Sequence, residues 1–443
     1  MRTAALLALL LASAAPAFAG APVVAEVKPT LETTPPLPDN DYESDADDPA
    51  VWVAPNARYA SFVATAVKKG GIRVYDLSGK RIQVIDPQKT DEGKGRINNV
   101  DVAYGVKLKN GRTVDVVVAS DRALDRIRVY QVAPGKAEPL VDVTPADPAR
   151  AFPKRPLADG TGLEDNPLDD QHTAYGLTTW SNRTTGKPLV IVTQRGEPRL
   201  GVFRLEPQKG GKIVAKFLFD YRVPVVHDGQ SLREESDDPK KDWSPQFEGL
   251  VVDQRNGILY AGQEDVGIWR IDLKKGAKAV PTLVYETRGS TESSFHEPTS
   301  VIARDVEGLC IYYGRNGTGY LLASSQGGAH GDNPSADAPY DDSFAVFGLK
   351  GTATPKLLGS YRVAAKGGID AVQESDGAEV ISNALPGFPR GLFVTQDGYD
   401  DDLDGLSGET PQQNFKFVSW PAIAARFSPP LAVTPGAFDP RKP

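Results

Sequence analysis

The sequence predicts an all-β fold, a six-bladed β-propeller closed by pairing of strands from the two chain ends. Two patterns in the 443-residue chain predict it. An alternating apolar signature recurs along the chain, and each copy sits third in a set of short β-rich runs separated by turn residues. The interval between copies varies, as expected of one supersecondary unit carrying loops of unequal length.

The signature falls at residues 72–75, 127–130, 200–203, 266–269 and 344–347, with a degenerate copy at 415–418. A second-strand run precedes each, at 62–66, 114–120, 189–193, 258–262, 320–324 and 391–395. First-strand runs lie at 50–53, 100–104, 176–180, 249–252, 308–312 and 378–382. Fourth strands are expected at 81–85, 139–143, 212–219, 282–287 and 356–362. The last unit has none of its own, and residues 23–27 are expected to supply it, which would remove the open edges of the ring. Four acidic or Gly/Pro-rich stretches, at 157–172, 227–242, 326–342 and 397–412, read as surface insertions on one domain.

Residues 1–19 read as a signal peptide: Arg2, an apolar core over residues 6–11, and Ala17-Phe18-Ala19 before Gly20. Residues 20–443 would then form a single exported domain, periplasmic or secreted. No later segment has the apolar length of a membrane span, so no membrane partner is expected. The net charge of −8 argues against nucleic acid. Cys310 is the sole cysteine, which excludes an internal disulfide, and its apolar setting reads as a buried strand. An exported chain without disulfides relies on its core or on bound metal.

The repeat also predicts which residues share a rim. In each blade the start of the first strand lies beside the end of the antiparallel second strand, at one mouth of the channel. First-strand starts carry Asp47-Asp48, Asn98-Asn99, Tyr175, Glu248, Glu307 and Asp376. Second-strand ends carry Lys68, Arg122, Arg195, Glu264, Gln326 and Asp397. Carboxylates facing one channel repel one another unless cations intervene, and hard oxygen donors of this kind suit Ca²⁺. Three cations beside such a centre suggest an anionic substrate, phosphate above all. Asp400-Asp401-Asp402-Leu403-Asp404-Gly405 opens like an EF-hand loop but has Pro411 where the closing Glu would stand. The four histidines are scattered, and neither a G-x-S-x-G elbow nor a P-loop occurs.

These residues resemble the β-propeller phytases. The resemblance rests on Asp45-Ala46-Asp47-Asp48-Pro49-Ala50-Val51-Trp52, Asn98-Asn99-Val100-Asp101, Glu248-Gly249, Asp305-Val306-Glu307-Gly308-Leu309, the segments 320–327 and 393–398, and Asn414-Phe415-Lys416. It implies several Ca²⁺ ions, structural and catalytic, and hydrolysis of phytate or calcium-phytate to lower inositol phosphates and orthophosphate. Residue by residue, it implies metal-binding roles for Asp47, Asp48, Glu248, Glu264, Asp305 and Glu307, with Val100 offering its carbonyl. Glu32, Asp370, Asp376, Asp397 and Asp400 match further calcium positions. Lys68, Arg122 and Tyr175 match phosphate-contacting groups, and Arg195 stands where some members have Lys. Glu248, Tyr175, Lys68 and Arg122 would carry catalysis, by attack of a metal-bridging water. The competing readings are a calcium-dependent propeller lactonase or esterase, which usually adds histidine, and a non-catalytic ligand-binding propeller, which would show aromatic platforms. A monomer acting on a small-molecule substrate is expected.

Overall fold

A computed structural model describes residues 24–34, 46–56, 58–156, 163–165, 168, 171–182, 184–227, 229–231, 246–289, 297–327, 338–399 and 413–442. The expected signal peptide and Asp400 with its acidic loop lie outside these residues.

Six antiparallel sheets follow one another in chain order, each built from consecutive strands. Blade 1 comprises Pro49–Trp52, Phe62–Ala66, Ile72–Asp76 and Arg81–Ile85. Blade 2 comprises Ile97–Lys107, Thr113–Asp121, Arg126–Val132 and Leu140–Asp142. Blade 3 comprises Ala174–Trp180, Leu189–Gln194, Arg199–Pro207 and Ile213–Arg222. Blade 4 comprises Phe247–Asp253, Ile258–Gln263, Gly267–Asp272 and Thr282–Glu286. Blade 5 comprises Leu309–Tyr313, Thr318–Ser325, Ser343–Lys350 and Lys356–Val363. Blade 6 supplies Ala378–Ile381, Leu392–Asp397 and Asn414–Ser419.

The period-2 geometry of a strand explains why these sequences stack as blades. In blade 2, Val116 and Val118 enter the apolar cluster shared with blade 3, whereas Val117 and Ala119 enter the one shared with blade 1. Both faces of the sheet are therefore buried, so the strand reads as an unbroken apolar run. The same division sends Ile311 toward blade 4 and Cys310 with Tyr312 toward blade 6. Each neighbouring pair of blades shares one such cluster, the sixth and first included.

The ring closes through the N-terminal segment, with one correction to the sequence reading. Residues 23–27 do not complete blade 6. Ala25–Val27 adds a parallel fifth strand to blade 5, against Tyr361–Val363. Val27 is buried in the cluster between blades 5 and 6, which fixes the segment there. The missing strand is Leu31–Glu32, paired antiparallel with Phe417 and Lys416. Thr30 and Thr33 extend the ladder, donating N–H bonds to the Phe417 and Phe415 carbonyls at 2.8 and 2.9 Å.

Two of the expected insertions carry small ladders of their own, Lys154–Pro156 with Leu163–Asp165 and Val226–His227 with Gln230–Ser231. After blade 6 a short helix, Trp420–Ala424, leads into a tail that crosses the mouth at the C-terminal ends of the inner strands. There Trp420 stacks on Tyr312 and Phe438 on Tyr313, each at 4.0 Å between centroids. Arg441 pairs with Asp115, and Phe438 and Pro440 line the channel interior. The tail covers one mouth, and the acidic rim lies at the other.

Candidate active site

Glycine builds the rim. Gly176 and Gly249 stand third in their inner strands, and Gly308 and Gly377 immediately precede theirs; each follows a rim residue, Tyr175, Glu248, Glu307 and Asp376 respectively. A Cβ on Gly249 would lie 1.2 Å from the Glu307 backbone oxygen, and one on Gly176 would lie 1.9 Å from that of Glu248. On Gly377 it would meet Asp48 Cα at 2.5 Å. Without side chains there, neighbouring inner strands approach to backbone contact. The acids that precede the glycines are thereby drawn together.

Glu248, Glu264 and Glu307 each offer a carboxylate oxygen to a group whose members all lie within 4.8 Å of one another. All three are buried. At that separation two like charges repel by about 3.5 kcal/mol at an effective dielectric of about 20. Burial, then Asp305 and Glu248, pushes the Glu264 carboxyl well above its ordinary range. Burial, then Glu248 and Asp376, does the same at Glu307. Burial followed by Asp376 raises Glu248. Burial and mutual repulsion therefore oppose three negative charges here unless a cation is added.

Around the triad the chain supplies amides and cations. Asn98 Nδ2 donates to Glu248 at 2.6 Å, and Gln246 Nε2 donates to both Glu264 oxygens at 3.0 Å. Gln326 Nε2 donates to Asp376 at 2.6 Å and reaches Glu307 at 3.5 Å. Lys68 Nζ pairs with Asp376 at 3.0 Å and lies 3.6 Å from Asp47. Its backbone is held in the left-handed region, at φ 34°, a strain of the kind found at functional sites. Both oxygens of Asp47 are buried without a hydrogen bond among the described residues, and burial pushes its carboxyl well up. Asp48 accepts from the Val100 N–H at 3.3 Å. This contact uses the Val100 N–H and leaves its carbonyl, the atom to which the resemblance gives a role, uninvolved in that bond.

The Arg122 guanidinium lies 5.1 Å from the centre of the Tyr175 ring and donates to Asn98 at 3.3 Å and Gln171 at 3.2 Å. Arg195 follows the second strand of blade 3 and donates its N–H to the Thr173 carbonyl at 2.9 Å, beside the start of the inner strand that carries Tyr175; burial, then Arg122, lowers its pKa. The Nε atoms of both arginines are buried with no acceptor among the described residues. Burial, then Glu248, pushes the Tyr175 phenol well up, so Tyr175 keeps its proton and can donate.

The residues fit calcium. Every donor is a hard oxygen, Asp47 accepts no hydrogen bond among the described residues, and oxygens spaced up to 4.8 Å apart can share one ion at the ordinary Ca–O distance of about 2.4 Å. Glu248, Glu264 and Glu307 would hold the ion, with Asp47 beside them.

Three of the expected metal ligands stand elsewhere. Lys416, fully buried on the last strand of blade 6, puts its ammonium among Glu32 at 2.7 Å, Asp397 at 2.9 Å and Asp370. The second-strand-end rule fails for Asp397: its neighbour Gln396 instead accepts from the Asp376 N–H at 2.7 Å. Sequence reasoning gave no site role to Asn98, Gln246 or Lys416. Asn98 and Gln246 sit at strand starts, and that position was the available signal.

The sequence model of the phytase family matches residues 1–151 and 225–443. The unmatched stretch holds blade 3, with Tyr175 and Arg195. A 3-phytase of Bacillus subtilis (strain 168) is 30% identical over 387 residues, covering 86% of this chain and 80% of its own. Among solved structures, an α-L-arabinofuranosidase of Fusarium graminearum covers 89% of this chain and 98% of its own, at 9% identity and a TM-score of 0.47.

Proposed function

Because the chain belongs to the phytase family and is a phytase, we propose that it hydrolyses phytate at a calcium centre held by Glu248, Glu264 and Glu307, releasing orthophosphate and lower inositol phosphates. The observation that carries this reading is one juxtaposition. Three buried glutamates converge within 4.8 Å, beside two guanidinium groups whose Nε donors have no acceptor among the described residues. Acids that need a cation stand next to cations that need an anion.

Calcium bound there would ease deprotonation of an attacking water and neutralise charge on the phosphoryl oxygens. The chain's own groups do the rest. Arg122 presents its fork to phosphate oxygens, and the Tyr175 ring beneath holds the guanidinium in place. Lys68 adds a point charge, positioned by Asp376. Tyr175 donates a hydrogen bond and does not act as a base, because its phenol stays protonated. Arg195 offers a second anion contact, suited to a substrate bearing several phosphates. We assign the first residues to an export signal, which would make this an extracytoplasmic enzyme.

The test is phosphate release from phytate after chelation, with and without added calcium. Activity should vanish in chelator and return with calcium. Full activity in chelator would contradict the calcium centre.

A further inference from the structure

We infer that Asn98, Gln246 and Gln326 form an amide collar that aims the three glutamates at one shared point, and that all three are positioning residues. The inference rests on the calcium reading above and extends it to side chains with no role assigned so far.

The geometry is one amide per acid. Asn98 serves Glu248 and Gln246 serves Glu264, while Gln326 is held by Asp376 at 2.6 Å and reaches Glu307 at 3.5 Å, the longest contact of the three. Which end of the amide faces the acid is settled by the other end in two cases. Asn98 Oδ1 accepts from Arg122 at 3.3 Å, so its Nδ2 must face Glu248. The Gln246 carbonyl accepts from the Gly196 N–H at 2.8 Å, so its Nε2 must face Glu264. An amide held at both ends fixes the plane of the carboxylate it touches and leaves that carboxylate's remaining lone pairs for another partner.

The second acid cluster shows what the collar withholds. Around Lys416 an ammonium meets three carboxylates and supplies positive charge from within the chain. At the triad, the contacts from Asn98, Gln246 and Gln326 are neutral. Neutral donors orient the acids without discharging them, so the negative charge stays available to an ion from solution. The collar from Asn98 also links that ion to substrate, because the same amide receives Arg122.

The experiment is a calorimetric calcium titration of the full chain, stripped with chelator and free of substrate. The binding step that Glu248→Gln removes identifies the ion at the triad. Asn98→Leu, Gln246→Met and Gln326→Met keep side-chain size and delete the donor. Each should weaken that step by about 10–100-fold, the usual cost of losing an outer-sphere partner, and leave other calcium steps and the melting temperature in chelator unchanged. If a Met variant fails to fold, Gln246→Asn or Gln326→Asn replaces it, since each is one methylene too short to reach. Weakening in fewer than two of the three positions would overturn the collar. A wild-type chain with no step that Glu248→Gln removes would overturn the calcium reading itself, and the collar with it.

Discussion

Lys416→Met removes the ammonium from the cluster on the closing strand, and its cost can be worked from the contacts. Lys416 and Asp397 are both fully buried, and Asp370 is 6% exposed. Burial opposes the charge on Lys416, but Asp397 and the hydrogen bonds to Asp370 and Glu32 outweigh it and raise the amine above the ordinary lysine value. Met fills similar volume, so the loss is electrostatic. Breaking a buried pair by deleting one partner costs about 3–5 kcal/mol. For a chain of this size that lowers Tm by about 3–6 °C. The melt is followed by circular dichroism in chelator, so that no metal ion takes the ammonium's place. Burial already holds the Asp397 carboxyl well above its ordinary range against the pull of Lys416, and without that ammonium it should rise further. A raised carboxyl stabilises the fold below its unfolded pKa, and that contribution is lost as pH climbs through the folded value. The deficit should therefore be larger near about pH 8 than near about pH 5. A Tm unchanged at both pH values would mean that the buried ammonium contributes nothing to closing the ring. Glu32 would then not be held to the ring by charge.

Glu248→Gln should lower phytate turnover by at least about a hundredfold, with no fall of Tm in chelator, because it relieves repulsion inside the triad; retained turnover would remove Glu248 from catalysis. Gly249→Ala drives a Cβ toward the Glu307 backbone oxygen, 1.2 Å away, and should cost more than about 4 kcal/mol in a denaturant melt. An ordinary melt would show that the inner strands need no such close approach. Phe438→Ala strips the ring stacked on Tyr313 at the far mouth and should cost about 2–3 kcal/mol, below the range for a fully buried Phe. Its kcat/KM on phytate should stay at the wild-type value, and a large loss would mean that the two mouths are coupled.

Much of the ring was legible because blade strands are buried on both faces and bounded by turns. Residues 62–66 and 81–85 were placed to the residue, and other strands to within a few. Leu31–Glu32 was not legible: two residues show no alternation, and their pairing is carried by backbone groups of Thr30 and Thr33. The tail was missed for a similar reason, since Phe438 and Arg441 find partners on several blades through tertiary contacts alone. At the site, the repeat correctly placed Glu248, Glu264 and Glu307 on one rim with Lys68, Arg122 and Tyr175. It misplaced Asp397 because its rule took the last residue of each second strand to face the channel. In blade 6 the preceding Gln396 takes that contact. The cluster around Lys416 joins three segments distant in sequence, and no spacing within the chain announces it.

The proposed activity requires one cation shared by three glutamates, and a crystal grown with calcium would reveal it. The prediction is an ion within about 2.3–2.6 Å of an oxygen from each of Glu248, Glu264 and Glu307. A well-ordered structure at millimolar calcium, in which these carboxyls are protonated and hydrogen-bonded to one another around no ion, would contradict it.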